Sequence, residues 1–254
     1  MPRATRPLRL LRRFGLIAAL AAAPLAARAE AVLVELFTSQ GCAACPPADA
    51  FLHDLAARPD VVALALHVDY WDYLGWRDVF AQPVFSARQM AYRDAAGRRS
   101  VFTPEMIVQG VARHGGAKRD KVLAAIAAAA GRPAAARLAL EAEGLRVRVR
   151  VTPAEAMAGV REGVRAEARA RGGAVVWAVL YRRAPAPVAI AHGENHGRES
   201  RHVNVALDWR RRGEWDGRAE ARFETAGPAP EEGLAVIVQQ GPVGPVLATA
   251  KYEP

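Results

Sequence analysis

The sequence predicts an α/β unit followed by an all-β, sandwich-like unit, with a boundary near residue 133. Two observations predict the first unit. "AVLVELF" at 31–37 and "VVALALHV" at 61–68 are apolar runs of the kind that form strands buried on both faces. Between them Ala48, Phe51, Leu52 and Leu55 recur at helical spacing after Pro46 and Pro47, which suit a first helical turn, and the helix stops before Pro59. A third observation predicts the second unit. Beyond Arg132-Pro133 the texture becomes alternating, as in "RLALEAEGLRVRVRV", "AVVWAVLYRR" and "LAVIVQQ", with frequent turns between, and such alternation belongs to an antiparallel sandwich or barrel.

The elements follow in order. Residues 1–29 carry five early arginines, the apolar run "GLIAALAAAPLAA" and the small-x-small triplet Ala27-Arg28-Ala29, the layout of a cleaved signal peptide. That run is too short to span a bilayer, which takes roughly 20 residues. The Arg12-Arg13 pair is followed at once by Phe14 and lacks the rest of a twin-arginine signal, so ordinary secretion is the expectation. The α/β unit occupies 30–132, with an aromatic, irregular-to-helical insertion over about 70–99. After the insertion "SVFTPEMIVQGVARHGG" predicts a hairpin, and "AKRDKVLAAIAAAAG" predicts an amphipathic helix closed by Gly131. The all-β unit takes 133–254, interrupted by a short helix or polar insertion at "AEAMAGVREGVRAEARARGG".

Charge narrows the function classes. The formal net charge is +9, but six of the 35 basic residues and none of the 26 acidic ones lie in the leader, so the remainder carries +3. No dense basic face with interleaved aromatics is left to bind nucleic acid. No other segment is apolar for long enough to hold the chain in a membrane after cleavage. The expected location is periplasmic or secreted, where a disulfide persists.

Both cysteines lie in "TSQGCAACPPADAFL", two residues apart at the mouth of the predicted helix. A helix N-terminus stabilises an anion, so a thiolate is favoured there. Cys42, the first and expectedly exposed cysteine, is read as nucleophile, and Cys45, one turn in, as resolving thiol, the pair opening and closing through a mixed disulfide. Downstream, the Thr103-Pro104 step at the start of a strand is where a cis proline would sit. With no N–H on Pro104, the preceding backbone is left to face the cysteines and pair with an extended substrate.

These residues carry a resemblance. Residues 31 to about 131 resemble a thioredoxin fold, with "VLVELF" as first core strand, CAAC at the active-site helix and Thr103-Pro104 at the cis-proline loop. "VLVELFTSQGCAACPPADAFL", "LALHVDYWDYLGWRD", "RSVFTPEMIVQG" and the distal "GENHGRESRHVNV" are similar to the secreted thioredoxin-like family catalogued as domain of unknown function 1223. The resemblance implies the fold, export and dithiol chemistry, and says nothing of substrate. It also implies a proton-transfer role for Glu35, although Glu35 lies seven residues before Cys42, one more than usual, and Gly41 stands where thioredoxins have tryptophan. Ala43 and Ala44 supply neither charge nor side-chain donor, which implies an intermediate or reducing poise.

The leading expectation is an exported thiol–disulfide oxidoreductase without cofactor, acting on exported proteins or small thiols and disulfides. Two alternatives stay open. A copper or zinc clamp would join Cys42 and Cys45 to His67 or His53, soft thiolates with imidazole, but no further ligands stand at recognisable spacing. The pair is otherwise a permanent staple in an interaction module. His192, His196 and His202 in "HGENHGRESRH" are read as a glycine-rich turn rather than a metal site. Tyr70, Trp71 and Trp76, beside Asp69 and Asp72, are candidates for a lid or apolar wall, with packing the default role of such aromatics.

Overall fold

The computed structural model describes residues 31–154, 173–185 and 187–254. The leader expected at 1–29 lies outside them, as does the segment expected to be helical or polar over 155–172.

The first elements are β1 (Val32–Thr38), α1 (Pro46–Ala56) and β2 (Val61–His67). β1 and β2 pair in parallel from Val32 beside Val61 to Thr38 beside His67, and every residue of both is buried. The aromatic insertion folds into a 3₁₀ turn (Asp72–Leu74) and α2 (Pro83–Ala95). Next come β3 (Glu105–Val108) and β4 (Ala112–Gly115), an antiparallel hairpin on the other edge of β1, and then α3 (Arg119–Ala130), which ends at Gly131.

The second half supplies β5 (Ala136–Glu143), β6 (Arg146–Pro153), β7 (Ala174–Arg182), β8 (Val188–Ala189), β9 (Glu199–Ser200), β10 (Val205–Trp215), β11 (Ala221–Ala226), β12 (Glu232–Gln240) and β13 (Val246–Tyr252). Strands from both sides of residue 133 share one eight-stranded sheet, in the order β13-β12-β7-β10-β2-β1-β3-β4. β10 enters beside β2 in parallel, with Val205 against Ala65. Asn204 fastens the joint. Its carbonyl accepts from Ala65 N–H, its side-chain amide donates to Ala63 O at 2.9 Å, and its backbone takes a left-handed φ of 48°. The expected boundary therefore does not divide the sheet, because β2 has a second edge whose backbone groups need partners.

The period of two along each strand distributes three cores over that sheet. Leu33 and Phe37, Leu64 and Leu66, Val179 and Tyr181, and Ala235 and Ile237 all face one side, where α2 adds Phe85 and Tyr92. On the opposite side Val34 and Leu36 with Ala63 and Ala65 meet Phe51, Leu52 and Leu55 of α1 and Val122 and Ile126 of α3. Further along that same side, Val176, Ala178, Val236 and Val238 meet Leu138, Leu140, Val147 and Val149 of a small sheet ordered β11-β6-β5. The second half is thus two-layered, as a sandwich is, but one layer continues the sheet that carries the cysteines.

Candidate functional site

Cys45 is the N-cap of α1, with Pro46 and Pro47 behind it, and it forms a disulfide with Cys42 across a Cα–Cα distance of 5.5 Å. The turn is held by Cys42 N–H donating to Ser39 O at 3.2 Å and Cys45 N–H to Cys42 O at 3.1 Å. Two prolines bring no N–H to the helix mouth, and Ala48 and Asp49 both donate to Cys45 O. The dipole of α1 is therefore what its first turn offers for stabilising a thiolate.

The expectation of an exposed Cys42 is corrected. Cys42 is 2% accessible and Cys45 fully buried, while Ala43 and Ala44 between them are exposed. Two neighbours close the site. Trp71 lies beside Gly41, where an added Cβ would come within 3.4 Å of the Trp71 Cβ, and its indole N–H donates to Thr103 Oγ1 at 2.7 Å. The Trp71 side chain thus bridges the residue before Cys42 and the residue before Pro104. The Thr103–Pro104 peptide is cis. Gly116 sits between Pro104 and Ala48, with space for no side chain, since an added Cβ would fall 3.0 Å and 2.8 Å from their Cβ atoms. The proline loop and the first turn of α1 are so brought together.

The second cover is the β8–β9 hairpin. Asn195 at its tip, 2% accessible, donates its side-chain amide to Gln40 O and Cys42 O, both at 2.9 Å, and a Glu194 carboxylate oxygen accepts from Ala43 N–H at 3.2 Å. Gly193 packs on Trp76, whose indole N–H donates to Gln40 Oε1 at 3.0 Å. The segment read as a glycine-rich turn is also a cap on the cysteine loop. Sequence reasoning missed Asn195 and Glu194, although "GENHGRESRHVNV" belonged to the same resemblance as the cysteine motif.

Of the insertion's residues, Tyr70 donates to Gln89 Oε1 at 2.9 Å, and burial holds its phenol above the ordinary value. Asp69 is hydrogen-bonded by the Ser86 hydroxyl, and Asp72 Oδ1 accepts from Asp78 N–H at 3.1 Å. Burial raises the Asp72 carboxyl, the Asp78 N–H opposing it.

Beside the cysteine helix lies a buried polar cluster. Asp49 accepts from Thr38 Oγ1 at 2.8 Å. His202 Nδ1 stands 3.7 Å from Asp49 Oδ1, and neither ring nitrogen of His202 has a hydrogen-bond partner. The His202 ring meets His67 edge to face at 4.4 Å, and His67 Nδ1 is 2.7 Å from Asp78 Oδ2. Burial by itself raises the Asp78 carboxyl. The charge and hydrogen bond of His67 and the N–H groups of Gln40 and Phe80 outweigh it and hold the carboxyl below the ordinary range.

Glu35 is not part of this arrangement, which corrects its proposed proton-transfer role. It alternates with Val34 and Leu36, so it faces away from α1, and it pairs with Arg88 at 2.6 Å and accepts from Tyr92 Oη at 2.6 Å. Gln239 completes that pair by accepting from Arg88 at 2.9 Å. Among the described residues no three of His, Cys, Asp and Glu are grouped to hold an ion. His53 is on the exposed face of α1, and His192 and His196 stack on each other 6.4 Å apart while His202 turns inward to His67. Among the described residues no helix is long and apolar enough to cross a membrane.

Comparison with known proteins gives three findings. The family model described as "Protein of unknown function (DUF1223)" matches residues 33–239. A crystallographically determined protein from Agrobacterium tumefaciens is similar over 87% of this chain and 93% of its own, at 27% identity and a TM-score of 0.70. HBP35 of Porphyromonas gingivalis shares the fold over 89% of this chain and 75% of its own, at 12% identity and a TM-score of 0.59. No curated protein matches.

Proposed function

The chain belongs to the DUF1223 family of proteins of unknown function, and from that premise we propose that it is an exported thiol–disulfide oxidoreductase whose α/β half is thioredoxin-like. The observation that carries the reading is the Cys42–Cys45 disulfide at the mouth of α1, with the cis Thr103–Pro104 bond packed against the same helix turn through Gly116. Such a site docks an extended chain beside the proline and exchanges electrons through the pair. In the reductive direction Cys42 thiolate attacks a substrate disulfide, and Cys45 then displaces the substrate sulfur. The Glu194 carboxylate accepts from Ala43 N–H, on the backbone between the two cysteines; a negative charge there opposes a thiolate, which supports a reducing poise. Substrates are exported proteins or small disulfides.

One observation favours a second reading. Cys42 is buried at 2% accessibility, as a permanent structural staple would be. The equilibrium reduction potential of the pair, titrated against glutathione or dithiothreitol, separates the two. A value between about −120 and −270 mV is that of dedicated exchangers, and a pair still oxidised well below about −300 mV is a staple.

A further inference from the structure

We propose that Asp49 and His202 are the proton store of Cys45, an inference that rests on the exchange chemistry above and supplies the proton acceptor that Glu35 does not. Cys45, Ala48, Asp49 and Leu52 stand at i, i+3, i+4 and i+7 and are all buried, so they share the inner face of α1. Asp49 is thus the carboxylate one turn behind the resolving cysteine.

The two carboxylates of the cluster differ in their commitments. Asp78 is occupied by Gln40 N–H at 2.7 Å, Phe80 N–H at 2.9 Å and His67. Asp49 accepts one hydroxyl, from Thr38, and faces His202 at 3.7 Å. His202 is 5% accessible and neither of its ring nitrogens is partnered, and His67 Nε2 is likewise unpartnered. Leaving such groups buried and unmet costs roughly 1–3 kcal/mol each, so the His202 ring stands beside Asp49 with both nitrogens open to a proton. His202 and Asp49 also line a cleft of about 390 Å³ between α1 and the hairpin, with exposed His53 and Arg201 at its rim, a route for the proton to solvent. The titratable and charged groups facing the pair are His67 and Asp78 in the interior and His53, Arg198, Glu199 and Arg201 around the cleft, and Phe80 packs against both imidazoles.

In the mixed disulfide between Cys42 and the substrate, the Cys45 thiol gives its proton to the Asp49 carboxylate. The resulting thiolate pair forms the Cys45–Cys42 bond, the bond from Cys42 to the substrate sulfur breaks, and that sulfur leaves as a thiolate. Cys42 and Cys45 are oxidised and the substrate disulfide is reduced. Asp49 returns its proton through His202. In the oxidative direction the same groups run in reverse.

The test uses the full chain, reduced and then mixed with 5,5′-dithiobis(2-nitrobenzoate) in a stopped-flow instrument. The first nitrothiobenzoate release reports attack by Cys42 and the second reports resolution by Cys45. Asp49→Asn is expected to slow the second release at least tenfold at pH 7 and leave the first unchanged. His202→Gln is expected to shift the pH profile of the second release alone. Both releases unaltered within twofold in the two variants would overturn the proton store while leaving exchange standing. Failure of the unmodified chain to show a second release would overturn both. If Asp49→Asn does not fold, His202→Gln decides alone, since that imidazole has no hydrogen bond to lose.

Discussion

At the scale of single residues, charge placement in the interior separates stability from chemistry. Glu35 and Arg88 are a buried pair on the face of the sheet away from the cysteines, with the Arg88 guanidinium 4.0 Å from the centre of the Trp209 ring. Removing one partner of such a pair costs about 3–5 kcal/mol. Glu35→Gln is therefore expected to lower the urea midpoint sharply without slowing the second nitrothiobenzoate release, and slowing comparable to that of Asp49→Asn would restore Glu35 to the chemistry. Asp78 adds a pH dependence. Its carboxyl titrates below the ordinary value of about 3.9 in the folded chain, so its contribution is complete above roughly pH 5 and is lost as pH falls through the depressed folded value. Asp78→Asn is expected to destabilise at pH 7 by about 3 kcal/mol and by clearly less at pH 3, as measured by thermal unfolding; equal losses at both would contradict the pairing. That Glu35 is buried was legible from its place in "AVLVELF". Its partners were not, because Arg88 and Tyr92 come from α2, a distant segment that only the fold lays against β1.

At the scale of elements, β1, α1, β2, the β3–β4 hairpin and α3 were legible because each has a local signature: an apolar run broken at most by one polar residue, prolines in a first turn, helical spacing, a terminal glycine. The cap on Cys42 was not. A glycine-rich turn with scattered histidines has the composition of a solvated loop, and only the position of β10 beside β2 swings the preceding hairpin onto the cysteines. Asn195→Ala removes the two hydrogen bonds that hold the hairpin to the cysteine loop and the one that Asn195 accepts from Arg198, with an expected stability loss of about 1–3 kcal/mol. Alkylation of Cys42 by iodoacetamide in the reduced chain is expected to accelerate about tenfold, equivalent to ~1.4 kcal/mol of opening. An unchanged rate would show that Trp71 by itself keeps reagents out. Gly116→Ala drives a methyl between Pro104 and Ala48, and is expected to impair folding or exchange even though alanine suits most backbones.

At the scale of the whole molecule, two halves with different sequence textures share a sheet, which the change at Arg132-Pro133 concealed. Texture reports how many faces of a strand are buried, not which strands are neighbours. Gln239 completes the Glu35–Arg88 pair, and Gly244 O approaches within 2.2 Å of a Cβ added at Gly110, so the halves interlock at several points. Heating is expected to give one cooperative calorimetric transition for the full chain. A fragment of residues 31–132 is expected to lack the near-ultraviolet circular dichroism of a packed core; a folded, redox-active fragment would show the halves to be independent. The cap also sets an order in time. Glu194 and Asn195 lie 151 and 153 residues beyond the positions they cover. A chain that emerges from its N-terminus is therefore expected to lack this cover over the cysteine loop until the distal hairpin has been synthesised and docked.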